Sequence, residues 1–107
     1  MPAYAVALIT DTVLNEELEA YLERIDDTLR PFSGKYRVHG GPYQPLECAW
    51  TGDLVLLEFP DMDRARGWYS SAAYQAIKPL RTRNSAATVI LTEGVPETHR
   101  GRDLLRR

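Results

Sequence analysis

Two side chains of this sequence could take up or release a proton beside an apolar surface. His39 stands directly before Gly40-Gly41, where a backbone without side chains lets a ligand approach closely, and histidine exchanges a proton near neutral pH. Glu58 is a carboxylate inside an otherwise apolar run, so it must be hydrogen-bonded, ion-paired or altered in its protonation. Both are therefore candidate catalytic bases. The alternatives are a strand-edge histidine and, for Glu58, a structural ion pair with Arg37 or His39 on a neighbouring strand.

Four further residues could bind or polarise a small molecule. Tyr69 and Tyr74 fall off the strictest apolar stripe of their helical region, so their hydroxyls could reach a cleft. Trp50 could add an aromatic wall, and Arg81 could hold a carboxylate or phosphate with its planar guanidinium, although a helix-end arginine that bonds backbone carbonyls fits the sequence equally well. The predicted site has His39, Glu58 and Tyr69 as catalytic residues, and Trp50, Tyr74 and Arg81 as substrate-binding residues.

The composition argues against several other classes of function. Cys48 is the single cysteine and the two histidines are far apart, so no metal site is predicted, and the absence of a dinucleotide or phosphate-loop fingerprint predicts no cofactor. The net charge of −2, from 13 basic and 15 acidic residues, gives no general electrostatic case for nucleic acid. No apolar run approaches the roughly 20 residues of a membrane helix, and no signal peptide is apparent. We therefore expect a cytoplasmic protein.

A four-stranded sheet has to position the candidate residues. Apolar runs predict strands over residues 4–10, 36–39, 54–59 and 88–93. After Gly40-Gly41-Pro42, residues 43–49 are expected to resume extended structure as a curved hairpin arm. The run from 54 to 59 is interrupted only by Glu58, which is typical of a strand buried on both faces.

Two helical regions alternate with these strands. The first follows a predicted cap at Asp11-Thr12, and the second, over residues 65–80, is expected to break at Ser70-Ser71 and to end or kink at Pro79. The element order is therefore βαββαβ, an α+β domain at residues 1–95. A basic and flexible tail is expected at residues 96–107. The helical spacing of six apolar residues is expected to place them on one side of the first helix: Leu14, Leu18, Tyr21, Leu22, Ile25 and Leu29.

Helices on one face of a four-stranded antiparallel sheet leave its other face bare. Here both faces of the central strands are apolar, since Val6 and Leu8 point away from Ala5 and Ala7. A bare apolar face of that size is an aggregation liability in a monomer. We therefore expect two sheets to pack face to face in an obligate homodimer.

Three segments of the sequence taken together resemble a known bacterial family. They are GGPYQPLECAW, LVLLEFPDMDRARGWYSSAAYQAIKPLR and VILTEG. The most specific parts are Glu58-Phe59-Pro60, Trp68-Tyr69-Ser70-Ser71, and Tyr74-Gln75 with Leu80-Arg81. The pattern resembles the domain-of-unknown-function family DUF1330 over residues 2–95. This resemblance implies a ferredoxin-like protomer of the dimeric α/β-barrel superfamily, whose members include cofactor-free monooxygenases, lactone isomerases, haem enzymes and ligand-sensing domains. It implies no particular reaction.

The candidate residues fit two classes of function. One is a cofactor-independent enzyme that carries out proton transfer on a small anionic or aromatic organic substrate, with His39 or Glu58 as the base, Tyr69 or Tyr74 as a donor and Arg81 as the anion anchor. The other is a non-catalytic ligand-binding or protein-interaction module, in which the polar groups hold a dimer together and the arginine-rich tail engages a partner.

Overall fold

The computed structural model describes residues 1–106 and contains one sheet layer and one helix layer. Four strands, β1 (Ala3–Thr10), β2 (Lys35–His39), β3 (Asp53–Phe59) and β4 (Ala86–Glu93), form an antiparallel sheet in the order β2-β3-β1-β4. Helices α1 (Glu16–Leu29), α2 (Met62–Ser70) and α3 (Ala72–Thr82) cover one face. This is the ferredoxin-like βαββαβ arrangement, so the predicted fold class is confirmed.

The helix boundaries follow from side-chain caps. The side chain of Asn15 accepts the Leu18 amide at 3.0 Å and begins α1, so the predicted cap at Asp11-Thr12 is wrong; Asp11 instead turns the chain at a φ of 54°. The expected break between two helices is confirmed at Ser71, whose hydroxyl accepts the Tyr74 amide at 3.2 Å.

Pro79 does not end α3, so the first of the two effects expected of this proline, an end or a kink, is absent. The helix continues to Thr82 because hydrogen bonds from residues after the proline stabilise its last turn. The Arg83 amide donates to the Pro79 carbonyl at 3.1 Å, and the Asn84 side chain donates to the Leu80 carbonyl at 2.7 Å. The continuation is what brings Arg81 onto the buried side of the helix.

The hydrophobic core lies between the helices and one face of the sheet. Phe59 and Trp68 pack within it with ring centroids 5.5 Å apart, and the Trp68 indole donates to the Thr28 hydroxyl at 3.0 Å. The buried apolar residues are Ala3, Ala5, Leu18, Tyr21, Ile25, Leu29, Leu57, Phe59, Ala65, Trp68, Tyr74 and Ile77.

The arm between β2 and β3 differs from the expectation, because residues 43–49 form no strand. Gly40 and Gly41 both have positive φ, and two prolines in the arm lack amide donors, so a regular ladder cannot continue. Irregular contacts hold the arm instead. The Tyr43 hydroxyl accepts the Leu54 amide at 2.7 Å, and the Tyr43 and Trp50 rings pack at 5.4 Å.

The opposite face of the sheet carries a row of apolar side chains across all four strands. Val38 pairs with Leu56, Leu56 with Val6, and Val6 with Ile90. Among residues 1–106, none of the helices α1 to α3 lies over this row, and Ile90 is 52% exposed. Residues 96–106 include a short 3-10 helix, Gly101–Arg106, without buried residues. The flexibility predicted for the tail stays a prediction, and Arg107 lies outside the described residues.

Candidate functional site

A cavity of about 300 Å³ lies between the helix-covered face of the sheet and helices α1 and α3. Its floor is formed by the helix-facing side chains of the central strands, including Ala5, Ala7 and Val55. The space exists because β1 places alanines where larger residues would meet the helices. The sheet and helices thus enclose an apolar volume of the size that small organic ligands occupy.

One side of the cavity carries a buried cluster of two tyrosines and an arginine. The hydroxyls of Tyr21 on α1 and Tyr74 on α3 are 2.9 Å apart, and Arg81 donates to the Tyr74 hydroxyl at 3.5 Å. The Arg81 guanidinium also lies 5.9 Å from the centre of the Tyr21 ring. These three residues, Tyr21, Tyr74 and Arg81, are 7%, 2% and 6% exposed, so the cluster is almost completely removed from bulk water.

Tyr21 and Arg81 each stay in one protonation state over the ordinary pH range. Burial raises the pKa of Tyr21 well above its usual range, and the neighbouring Tyr74 adds to this effect, so the phenol remains protonated. Burial alone would lower the pKa of Arg81, but the adjacent Tyr74 and Tyr21 hydroxyls outweigh it and the pKa is raised. The cavity therefore contains a fixed positive charge on Arg81 beside the neutral Tyr21 hydroxyl.

Arg81 differs from the other arginines around it in having no acidic partner. Arg83, two residues further on, pairs with Glu17, and Arg37 on β2 pairs with Glu58 at 3.3 Å. Among residues 1–106, Arg81 forms no ion pair. A buried cation without an ion-pair partner is unfavourable, and an anion in the cavity would compensate it.

The mouth of the cavity is formed where β2 ends and β3 begins. His39 and Asp53 both line the cavity there, and the Gly40 amide donates to the Leu54 carbonyl at 2.9 Å, which joins the two strands. The imidazole stacks on the Tyr36 ring with centroids 4.5 Å apart. Burial, followed by the charge of Asp26, raises the pKa of Tyr36 to about 12, so this phenol also stays neutral.

Three of the six sequence-predicted site residues meet in this cavity. His39 lies at its mouth, and Tyr74 and Arg81 form its buried polar side. For Arg81 the sequence fits both an anion anchor and a cap of backbone carbonyls. Its side chain reaches the Tyr74 hydroxyl and lines the cavity, which is the position that an anion anchor requires.

The other three predicted residues lie outside the cavity lining. Glu58 pairs with Tyr4 across the strands on the opposite face, where Arg37 binds it, so the structural ion pair is present. Tyr69 packs on Tyr74 with ring centroids 5.5 Å apart, under the Lys78 ammonium.

Trp50 belongs to the arm rather than to the cavity. Its indole donates to the Gly52 carbonyl at 3.0 Å, and its side chain is exposed. The structure does not bring Trp50, Tyr69 or Glu58 together with His39.

Sequence reasoning missed Tyr21, Tyr36 and Asp53 as cavity residues. The helical spacing places Tyr21 on the apolar face of the first helix. A buried hydroxyl needs a polar partner, so a tyrosine on that face was the sequence feature that could have indicated a buried polar cluster. Asp53 reads in sequence as part of a turn. Asp53 lines the cavity because it precedes Val55 by two residues and therefore lies on the same face of the sheet. The pairing of the strands is needed to show that this face is the one toward the cavity.

The described residues contain no cluster of three or more histidine, cysteine or acidic side chains arranged to hold a metal ion. No helix in the part of the chain described here has the length and apolar character needed to span a membrane.

The chain matches the family model described as "Domain of unknown function (DUF1330)" over residues 2–95, and it therefore belongs to this family. No curated protein matches the sequence significantly.

Several solved structures are similar to this fold. A protein of unknown function from Rhodopseudomonas palustris has a TM-score of 0.61 at 14% identity, over 89% of this chain and 83% of that chain. A dimeric ferredoxin-like protein of unknown function from Jannaschia sp. CCS1 has a TM-score of 0.63 at 15% identity, over 88% and 100%. SnoaB, a cofactor-independent oxygenase from Streptomyces nogalater, has a TM-score of 0.60 at 13% identity, over 91% and 96%. At these identities the likeness shows the fold alone.

Proposed function

We propose that this protein is an enzyme that moves a proton on a small anionic organic molecule without a cofactor. The observation that supports this most is the buried Arg81 in a ligand-sized cavity, with no acidic partner among residues 1–106 and with His39 at the same cavity's mouth. A fixed cation and a side chain that can exchange protons are the two groups that such chemistry requires. The similar fold of SnoaB, a cofactor-independent oxygenase, is compatible with this proposal.

The proposed step needs only the groups that the cavity provides. His39 takes a proton from a carbon that is conjugated with a carbonyl or carboxyl group, and the electron pair of the broken C–H bond moves through the conjugated system onto the oxygen. The Arg81 guanidinium and the Tyr74 hydroxyl stabilise the negative oxygen. His39 then returns the proton to the same or a conjugated carbon, so that the protein ends unchanged. Tyr74, and not Tyr69, donates the hydrogen bond to this oxygen, because Tyr74 lines the cavity and Tyr69 does not.

We also propose that the working form is a homodimer whose two sheets face each other. The row of Val38, Leu56, Val6 and Ile90 is apolar, crosses all four strands and has no cover within residues 1–106. A second copy supplies the same apolar row and removes both from water. The similar protein from Jannaschia sp. CCS1 is described as dimeric. The Arg37–Glu58 ion pair lies on the same face, beside this row.

Deuterium exchange tests the proposed chemistry even before the substrate is identified. The full chain is incubated in D₂O with a mixture of small organic acids, ketones and phenols, and mass spectrometry identifies any compound that gains deuterium at carbon. We expect at least one anionic compound to exchange in a protein-dependent manner. If no compound gains deuterium, the enzymatic proposal is wrong. If the protein binds a compound without catalysing deuterium exchange on any of them, it is a ligand-binding module.

Filling the cavity is expected to abolish this exchange without unfolding the protein. Ala7→Leu places a larger apolar side chain on the cavity floor, and filling an apolar space commonly adds about 0.5–2 kcal/mol to stability. Thermal unfolding should therefore show an unchanged or raised midpoint, while exchange is lost. Ala86→Leu makes the same change at an exposed strand position and should leave exchange intact. Full exchange by a folded Ala7→Leu protein would place the reaction outside the cavity.

A further inference from the structure

The tyrosine and arginine cluster has more hydrogen-bond donors than acceptors. Tyr21 and Tyr74 share one hydroxyl hydrogen between them, so the second hydroxyl hydrogen has no acceptor among residues 1–106. Arg81 adds a guanidinium with five N–H donors, of which one reaches the Tyr74 oxygen. A ligand group that only accepts hydrogen bonds, and that carries negative charge, complements this set.

The charges that line the cavity limit the ligand to a single negative charge. Arg81 is the one permanently charged cation in the lining formed by the described residues, and Asp53 places a carboxylate at the mouth. A second anionic group on the ligand would lack a cation and would face Asp53, which disfavours it. The end of the ligand that points to the mouth therefore carries a neutral group, and a donor such as a hydroxyl suits it best.

The size and lining of the cavity limit the apolar part of the ligand. A dry cavity of about 150 Å³ accepts benzene, and the space here is about 300 Å³. Ala5, Ala7, Val55 and Leu57 present small and branched apolar side chains from a sheet, which is a surface that suits a flat ring. One ring with its substituents fits this volume.

We infer that the ligand class of this site is a ring-sized monocarboxylate, whose carboxylate binds Arg81 and the Tyr74 hydroxyl and whose ring lies over Ala5 and Ala7. This inference rests on the cavity assigned in the proposed function and adds the chemical identity of its ligand. The opposite end of the ring faces His39 and Asp53, where a neutral substituent is accepted.

Calorimetric titration of the full chain with four probes tests the inference. Benzoate carries one charge, benzyl alcohol carries none, and benzene-1,4-dicarboxylate and phenyl phosphate each carry about two near neutral pH. We expect benzoate to bind roughly 10- to 150-fold more tightly than benzyl alcohol, which is the range for hydrogen bonds to a charged group. The two dianions should bind more weakly than benzoate.

Two arginine variants complete the test. Arg81→Met keeps much of the side chain's length but removes the charge, and it should lower benzoate affinity roughly 10- to 150-fold. Arg83→Met removes an exposed arginine that pairs with Glu17 outside the cavity and should leave the affinity unchanged. The comparison of the four probes on the unaltered protein stands even if Arg81→Met fails to fold.

The outcomes separate this inference from the proposed function. Equal affinity for benzoate and benzyl alcohol, tighter binding of either dianion, or no binding of any probe overturns the ligand class, while deuterium exchange on another compound still supports catalysis. Conversely, charge-selective benzoate binding that depends on Arg81 supports the ligand class even if no compound in the mixture exchanges.

Discussion

Replacement of His39 by glutamine is expected to slow deuterium exchange by roughly 100- to 10,000-fold, the usual contribution of a positioned general base. Glutamine keeps a planar polar group at the cavity mouth but cannot accept and return a proton at neutral pH. The variant should still fold, because His39 is exposed at the end of β2 and contributes little to the buried core. Ligand affinity, measured by calorimetry, should change much less than the exchange rate, since the anion is bound by Arg81.

Two comparisons make this result specific to His39. His99→Gln changes the other histidine of the chain, which lies in the tail near Asp103, and should leave the rate unchanged. Glu58→Gln distinguishes the two candidate bases, since Glu58 faces away from the cavity and pairs with Arg37. If Glu58→Gln removed exchange while His39→Gln kept it, the base would act on the other face of the sheet and the proposed site would be incorrect.

Replacement of Leu56 by aspartate is expected to convert a dimer into a folded monomer. Leu56 stands between Val38 and Val6 in the middle of the uncovered row. A charge there would be buried without a partner in a sheet-to-sheet dimer, which costs several kcal/mol and raises the dissociation constant by at least about 100-fold. Sedimentation velocity at micromolar concentration should give a dimer for the unaltered chain and a monomer for the variant.

Matched variants separate dissociation from unfolding. Ile90→Asp changes a residue of the same row that is already 52% exposed in the single chain, so it should dissociate the dimer without disturbing the protomer. Leu14→Asp makes a similar change at a residue that is 72% exposed and away from the sheet, and it should remain dimeric. A monomeric unaltered protein, or a dimeric and folded Leu56→Asp variant, would contradict the sheet-to-sheet arrangement.

The fold was predictable because its signals are local and periodic. The strand at Asp53–Phe59 follows from an apolar run, and the break at Ser71 follows from a residue type that caps helices. The failures also have local causes. Asn15 replaces Asp11-Thr12 as the cap because its side chain reaches the Leu18 amide, and α3 passes through Pro79 because later hydrogen bonds hold its last turn.

The site was predictable only in part, because its assembly depends on distant residues. Arg81 and Tyr74 were found from residue type and helical position, and they share one element. Tyr21 lies 53 positions before Tyr74 in the sequence, and Asp53 lies near His39 in the cavity lining only because of the strand register. Neither arrangement can be predicted from the spacing of neighbouring residues. Glu58 interrupts an apolar run because its carboxylate lies on the sheet face away from the cavity, where it accepts hydrogen bonds from Arg37.

A crystal of the protein soaked with 4-bromobenzoate would locate the bound ligand, since bromine is identified by its anomalous scattering. We expect a bromine peak inside the cavity between β1 and α3, with the carboxylate within hydrogen-bond distance of the Arg81 guanidinium and the Tyr74 hydroxyl and the bromine directed toward His39. An empty cavity in crystals where the compound binds elsewhere, or a carboxylate turned away from Arg81, would show that Arg81 does not anchor an anionic ligand in this cavity.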